Sequence, residues 1–90
     1  MKVTFASDAW EQYLYWQNAD RKVLKRINLL IRDIIRGDSD GGVGKPERLR
    51  GDLSGFSSRR IDDVHRLVYR VDADADNLLI AQCRYHYSDR

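Results

Sequence analysis

From Val23 to Ile34, apolar residues recur at three- and four-residue spacing: Val23, Leu24, Ile27, Leu30, Ile31 and Ile34 share one stripe. Lys22, Lys25, Arg26, Arg32 and Asp33 take the opposite side, so the segment predicts an amphipathic helix. Asp20 is placed to cap it and Gly37 to stop it. Ahead of it, Trp10, Tyr13, Leu14 and Gln17 fall on one face of a first helix. That helix is opened by an Asp8–Glu11 capping box, or by Ser7 as the alternative cap. The break at Asn18–Asp20 is short enough to make the two helices an antiparallel hairpin. Lys2–Ala6, with Val3, Thr4 and Phe5, leans towards a strand.

Beyond Gly44 the period switches from helical to alternating. Pro46–Leu49, Phe56–Asp62, His65–Val71 and Leu78–Tyr87 read as strands, with Asp62–Asp63 and Asp72–Asn77 as turns. Gly37–Gly44 holds four of the six glycines and reads as a mobile loop. The order β-α-α-β-β-β-β predicts an α+β fold over residues 1–90, one domain with the helix hairpin on one face of a mainly antiparallel sheet. Alternation sets Leu67, Tyr69 and Val71 on one side of their strand and Arg66, Val68 and Arg70 on the other. In the last strand, Leu79, Ala81, Cys83 and Tyr85 form the inward side, opposite Ile80, Gln82, Arg84 and His86. Arg66, Arg70, Gln82, Arg84 and His86 are thereby expected on one open surface.

Composition narrows the class. Ninety residues suffice for one domain. The single Cys83 rules out an internal disulfide and suits a reducing compartment, which makes the cytoplasm the expected location. No apolar run approaches the ~18 residues of a membrane span, and Met1–Asp8 lacks the apolar stretch of a signal peptide, so no membrane partner is expected. The net charge is only +2, but it is unevenly spread. Gly44–Arg70 carries seven basic residues against four acidic ones, most of them arginine. The planar arginine fork matches phosphate oxygens, which fits a nucleic-acid partner; a merely solvated basic face fits the same count.

Candidate chemistry is sparse. The Asp72–Asp76 run lacks the glycine and glutamate of a calcium loop, having Asn77 and Cys83 at those positions, and reads as a turn. Cys83 faces inward by parity and reads as an inert thiol. What remains is a set of residue types in the basic half: Glu47, Arg66 and His86. A metal-independent ribonuclease needs a base for the 2′-hydroxyl proton, a cation for charge developing on the phosphate, and an acid for the 5′-oxygen. A salt-bridged surface glutamate and a satisfied histidine would fit the same pattern.

Six segments narrow the choice: Tyr13-Leu14-Tyr15-Trp16-Gln17, Gly44-Lys45-Pro46-Glu47, Leu53-Ser54-Gly55-Phe56, Ser58-Arg59-Arg60-Ile61, His65-Arg66-Leu67-Val68-Tyr69 and Cys83-Arg84-Tyr85-His86-Tyr87. Together, in this order, they resemble the YoeB (Txe) toxins of the RelE superfamily, bacterial toxins that cleave mRNA in the decoding A site of the 30S ribosomal subunit. The resemblance implies a RelE-like, microbial-ribonuclease-like fold with Glu47 as general base, Arg66 as transition-state cation and His86 as general acid. It implies that Tyr87 positions the target nucleotide and that Arg59 and Arg60 contact RNA backbone, with Lys45 and Arg84 as further RNA contacts. No cofactor and no catalytic metal are implied. The implied partners are a YefM-like antitoxin, mRNA on the ribosome and a second copy of the chain. The antitoxin's acidic segment is expected to cover Arg66 and His86. Two departures stand out: Ser57 occupies a position where the family often has tryptophan, and Ser88–Arg90 follow the Tyr-His-Tyr element. The competing class is a binding module that holds RNA or an antitoxin without turnover, for which Glu47 and His86 would have no use.

Overall fold

The computed structural model describes residues 1–37 and 42–86. Its elements are β1 (Lys2–Phe5), α1 (Ser7–Ala19), α2 (Arg21–Ile35), β2 (Glu47–Arg48), β3 (Ser57–Arg60), β4 (Arg66–Asp72) and β5 (Asn77–Gln82), with a 3-10 turn at Gly51–Leu53. The strands form one sheet in the order β1-β5-β4-β3-β2. Among the described residues only the β1–β5 pair is parallel, so the sheet is mixed and mostly antiparallel, as the element order predicted.

α2 follows its sequence stripe. Ile27, Leu30 and Ile34 are buried, and Val23, Leu24 and Ile31 pack partly against them. Asp20 Oδ1 accepts from the N–H groups of Lys22 and Val23, satisfying donors that a helix start otherwise leaves unpaired. α1 corrects the sequence reading in two ways. Its N-cap is Ala6, with no side-chain cap, so neither Ser7 nor Asp8 has the expected role. Its buried residues are Ala9 and Trp16 rather than the Trp10–Leu14 stripe; Trp10 stays half exposed and stacks with Tyr13 beside Phe5. The aromatic cluster pulls the large rings to the rim and leaves the close approach to the small Ala9.

β5 also departs from the expected parity. Leu78 and Ile80 are its buried apolar residues, and they join Leu67 and Tyr69 in the core under the helices. Val68 pairs with Gln82 whereas Tyr69 pairs with Ile80, so β5 carries one extra residue, Ala81, between them. Such a bulge shifts the face of every residue beyond it. The ladder then stops at Gln82 instead of reaching Tyr87. Cys83 is buried as expected, although by a different route: Gln12 Oε1 accepts from its N–H and Trp16 Nε1 donates to its carbonyl, each at 2.8 Å. Burial pushes its thiol up to about 12, which keeps it protonated and unreactive at neutral pH.

Arg59 is the main surprise in the packing. It is fully buried on the helix side of β3. Its Nη1 donates to Asp33 of α2 and to the Val43 carbonyl, and its Nε donates to the Tyr69 hydroxyl at 3.0 Å. A guanidinium with no exposed surface cannot touch RNA, so the backbone-contact reading of Arg59 is replaced by a structural one. Burial opposes its charge, but hydrogen bonds to Tyr69 and Asp33 offset this and raise its pKa above the usual value. The same guanidinium, helped by the Val43 N–H, holds the Asp33 carboxyl below its ordinary 3.8. Between the folded and unfolded values the native state binds fewer protons, so Asp33 stabilises the fold above the unfolded value, and this is lost as pH falls through the lower, folded one. Denaturant unfolding of wild type and Asp33→Asn between pH 6 and pH 2 checks this: the stability gap narrows as pH falls, and a pH-independent gap would contradict the linkage.

Of the glycine-rich segment, residues 38–41 lie outside the described residues. Its far end is pinned rather than loose. Gly44 has φ +87°, and a Cβ there would meet the Arg60 carbonyl at 3.1 Å and Leu30 Cδ2 at 3.0 Å. Arg60 N–H donates to the Gly44 carbonyl at 2.7 Å. Only glycine allows so close an approach with that backbone, and the contact aims the arm that leads into β2.

Candidate active site

Residues paired across neighbouring strands share a face of the sheet. Glu47 pairs with Ser58, Ser58 with Val68 and Val68 with Gln82, while Arg60 pairs with Arg66. The register therefore gathers Glu47, Arg60 and Arg66 on the face away from the helices, and the neighbouring Arg59 and Leu67 on the helix face. One step of strand alternation gives two adjacent arginines opposite fates.

These residues border a cleft of about 370 Å³ lined by Lys45, Pro46, Glu47, Ser58, Arg60, Arg66 and His86. Arg66 and Ser58, 9% and 3% exposed, form its floor. Lys45, Glu47 and Arg60 are exposed at its edge. The Arg66 guanidinium is fixed from behind, since Nη1 donates to the carbonyls of Asp62 at 2.8 Å and His65 at 3.0 Å. Both acceptors are neutral, so they orient the group without cancelling its charge. Those carbonyls are presented by a tight turn in which Asp62 Oδ1 accepts from the N–H groups of Val64 and His65, an Asx arrangement that Asp favours.

His86 reaches the cleft because the chain bends sharply after β5. Tyr85 adopts φ +69°, and its carbonyl accepts from Arg66 N–H and from Gln82 Nε2, both at 3.0 Å. The same bend removes Arg84 from the expected open face. Its guanidinium stacks 3.6 Å from the centre of the Tyr15 ring on α1, with Tyr85 at 4.6 Å. Arg84 is thus corrected from a cleft residue to a cation–π bridge between α1 and the chain end. Arg70 lies over Phe56 instead of in the cleft. Tyr87 falls outside the described residues. Ser58 was missed by sequence reasoning, because only the strand register shows that a serine lies between Glu47 and Arg66.

A second hollow of about 400 Å³ surrounds Ser57, lined among others by Leu49, Phe56, Tyr69 and Val71. Among the described residues its lining holds neither a carboxylate nor an imidazole, so acid–base chemistry points to the first cleft. There a carboxylate, an imidazole and three cationic side chains converge, a set able to remove one proton, deliver another and bind an anion between them.

Comparison with known proteins identifies the family of the chain. A family model described as YoeB-like toxin of bacterial type II toxin-antitoxin system matches residues 5–87. Toxin YoeB of Streptomyces coelicolor is 61% identical over 87 residues, 97% of this chain and 100% of the relative. Among solved structures, a YoeB/ParE toxin from Agrobacterium tumefaciens superposes with a TM-score of 0.91 at 44% identity, covering 97% of this chain and all of the other. A YoeB-YefM complex and a YoeB dimer, both from Staphylococcus aureus, give TM-scores of 0.87 and 0.88 at 45% and 46% identity, each covering 97% of this chain and 98% of theirs. With the family model spanning nearly the whole chain, the protein belongs to the YoeB-like toxins of bacterial type II toxin-antitoxin systems.

Proposed function

We propose that this toxin is a ribosome-dependent mRNA endoribonuclease acting in the cytoplasm. The observation that carries the reading is the convergence of Glu47, Arg66 and His86, from β2, β4 and the bend after β5, on one cleft. Glu47 takes the proton of a 2′-hydroxyl, and the resulting oxygen attacks the adjacent phosphorus. Arg66 stabilises the charge that develops on the phosphate oxygens. The bond to the 5′-oxygen breaks as His86 protonates it, leaving a 2′,3′-cyclic phosphate and a 5′-hydroxyl end. The side chains at the cleft supply the base, the acid and the cation of this scheme without further groups. Lys45 and Arg60, at the edge, are placed to hold the flanking backbone. Tyr87 is assigned to nucleotide positioning, and the ribosome to the site of action, from the family resemblance.

The cationic cleft also favours control by an anionic partner. A YefM-like antitoxin with an acidic, poorly structured segment would fold over Arg66 and His86 on binding. That similar toxins from Staphylococcus aureus were solved with YefM and as a dimer supports both an antitoxin and a second copy as partners.

Single-turnover cleavage of a defined mRNA on saturating ribosomes tests the reading. Wild type generates the ends named above, and Arg66→Ala lowers the saturated rate by ~10²–10³ with affinity little changed. A protein that binds ribosomes and leaves the message intact is a binding module, and that result overturns the nuclease assignment.

A further inference from the structure

Tyr85 stands out because it has a Cβ and yet a left-handed backbone, φ +69°. Such a residue keeps that conformation only where its surroundings enforce it, and these positions cluster where function needs a defined geometry. Here the enforcement is specific. Tyr85 N–H donates to Nδ1 of His65 at 2.7 Å. The His65 ring is itself held edge-on against Trp16, centroids 4.9 Å apart, and the His65 backbone N–H donates to Asp62 Oδ1 at 2.6 Å. His65 does not line the cleft, but it touches both sides of it: its ring holds the residue before His86, and its carbonyl accepts from Arg66 Nη1.

We infer that His65 is a positioning residue whose ring nitrogen latches the segment carrying His86 against the turn carrying Arg66. The inference rests on the reading of Arg66 and His86 as the cation and the acid. An accepting Nδ1 means that the neutral ring carries its proton on Nε2. The latch therefore depends on an acceptor atom at one position, not on the ring as a whole. The geometry explains how an acid beyond the end of the sheet is kept in register with a cation inside it. Displacing a reacting group by about 1 Å can cost on the order of 10²-fold in rate.

Two variants separate the acceptor from the packing. His65→Phe keeps a ring against Trp16 and removes the acceptor; His65→Asn removes the ring and keeps an oxygen at the place of Nδ1. In single-turnover cleavage on saturating ribosomes, His65→Phe is expected to lose ~10- to 100-fold in rate with unchanged ribosome affinity, and His65→Asn to recover most of it. Amide hydrogen exchange supplies a readout independent of activity: the Tyr85 N–H loses protection in His65→Phe and keeps it in His65→Asn, while the β4–β5 ladder is unaffected. His65→Leu makes the same comparison if His65→Phe lacks the wild-type unfolding transition. A Tyr85 amide still protected in His65→Phe, a wild-type rate despite its loss, or equal defects in the Phe and Asn variants would each overturn the latch. Wild type that cuts no message overturns the nuclease reading instead, whatever the exchange at Tyr85.

Discussion

Glu47→Gln and His86→Gln are each expected to lower message cleavage by ~10²–10⁴ and to abolish the growth arrest caused by expressing the toxin without its antitoxin. Glutamine keeps the size and hydrogen-bonding reach of the glutamate but cannot accept the 2′-hydroxyl proton. In place of His86 it cannot deliver a proton to the leaving oxygen. Neither change should unfold the protein. Glu47 is exposed on the edge strand β2, whose backbone pairs with Ser58, and exposed substitutions usually change stability by within ~0.5 kcal/mol. His86 lies past the end of the ladder and outside the buried core. The measurement is product analysis on ribosome-bound message, with unfolding followed in parallel. Full cleavage by both folded variants would refute the acid–base assignment, whereas loss in both with ribosome binding retained would exclude a binding module.

The adjacent pair Arg59 and Arg60 should separate stability from RNA affinity. Arg59→Ala is expected to cost about 3 kcal/mol, near the lower end of the range for breaking a buried ion pair, because Asp33 keeps some access to water with 19% of its side chain exposed. The loss also strips the Tyr69 hydroxyl and the Val43 carbonyl of a donor. For a chain whose total stability is on the order of 5–15 kcal/mol, that is a visible fall in the urea midpoint. It also frees the arm at Val43–Glu47 from α2, so cleavage falls with it. Arg60→Ala should leave the midpoint within the scatter of surface substitutions. It should weaken ribosome binding and reduce the slope of log affinity against log salt by roughly one phosphate contact. Urea unfolding and salt-dependent binding of both variants check this. An unchanged midpoint for Arg59→Ala would show that the pair contributes nothing net.

Elements whose logic is local were legible in advance. The α2 stripe, the Asp20 cap and the Gly37 stop each depend on residues within one or two turns, and the structure repeats them. The α1 face was misread because four aromatic residues in seven positions, Trp10 to Trp16, offered more than one apolar stripe, and contacts with Phe5 and Cys83 chose between them. The β5 parity was misread because a bulge at Ala81 leaves no mark in the four-residue apolar run Leu78–Ala81.

Spacing and motif order alone determined the element sequence, the helix hairpin, the family resemblance and the residue types of the candidate site. The tertiary structure decided which of those residues meet. Strand register set Glu47, Arg60 and Arg66 on one face and turned Arg59 into the core, and an enforced left-handed bend at Tyr85 brought His86 in while sending Arg84 to Tyr15. The physical reason is one of range. Helix periodicity and caps are written within a few residues, but the face of a strand residue changes with every single-residue shift, and pairing partners far along the chain settle it.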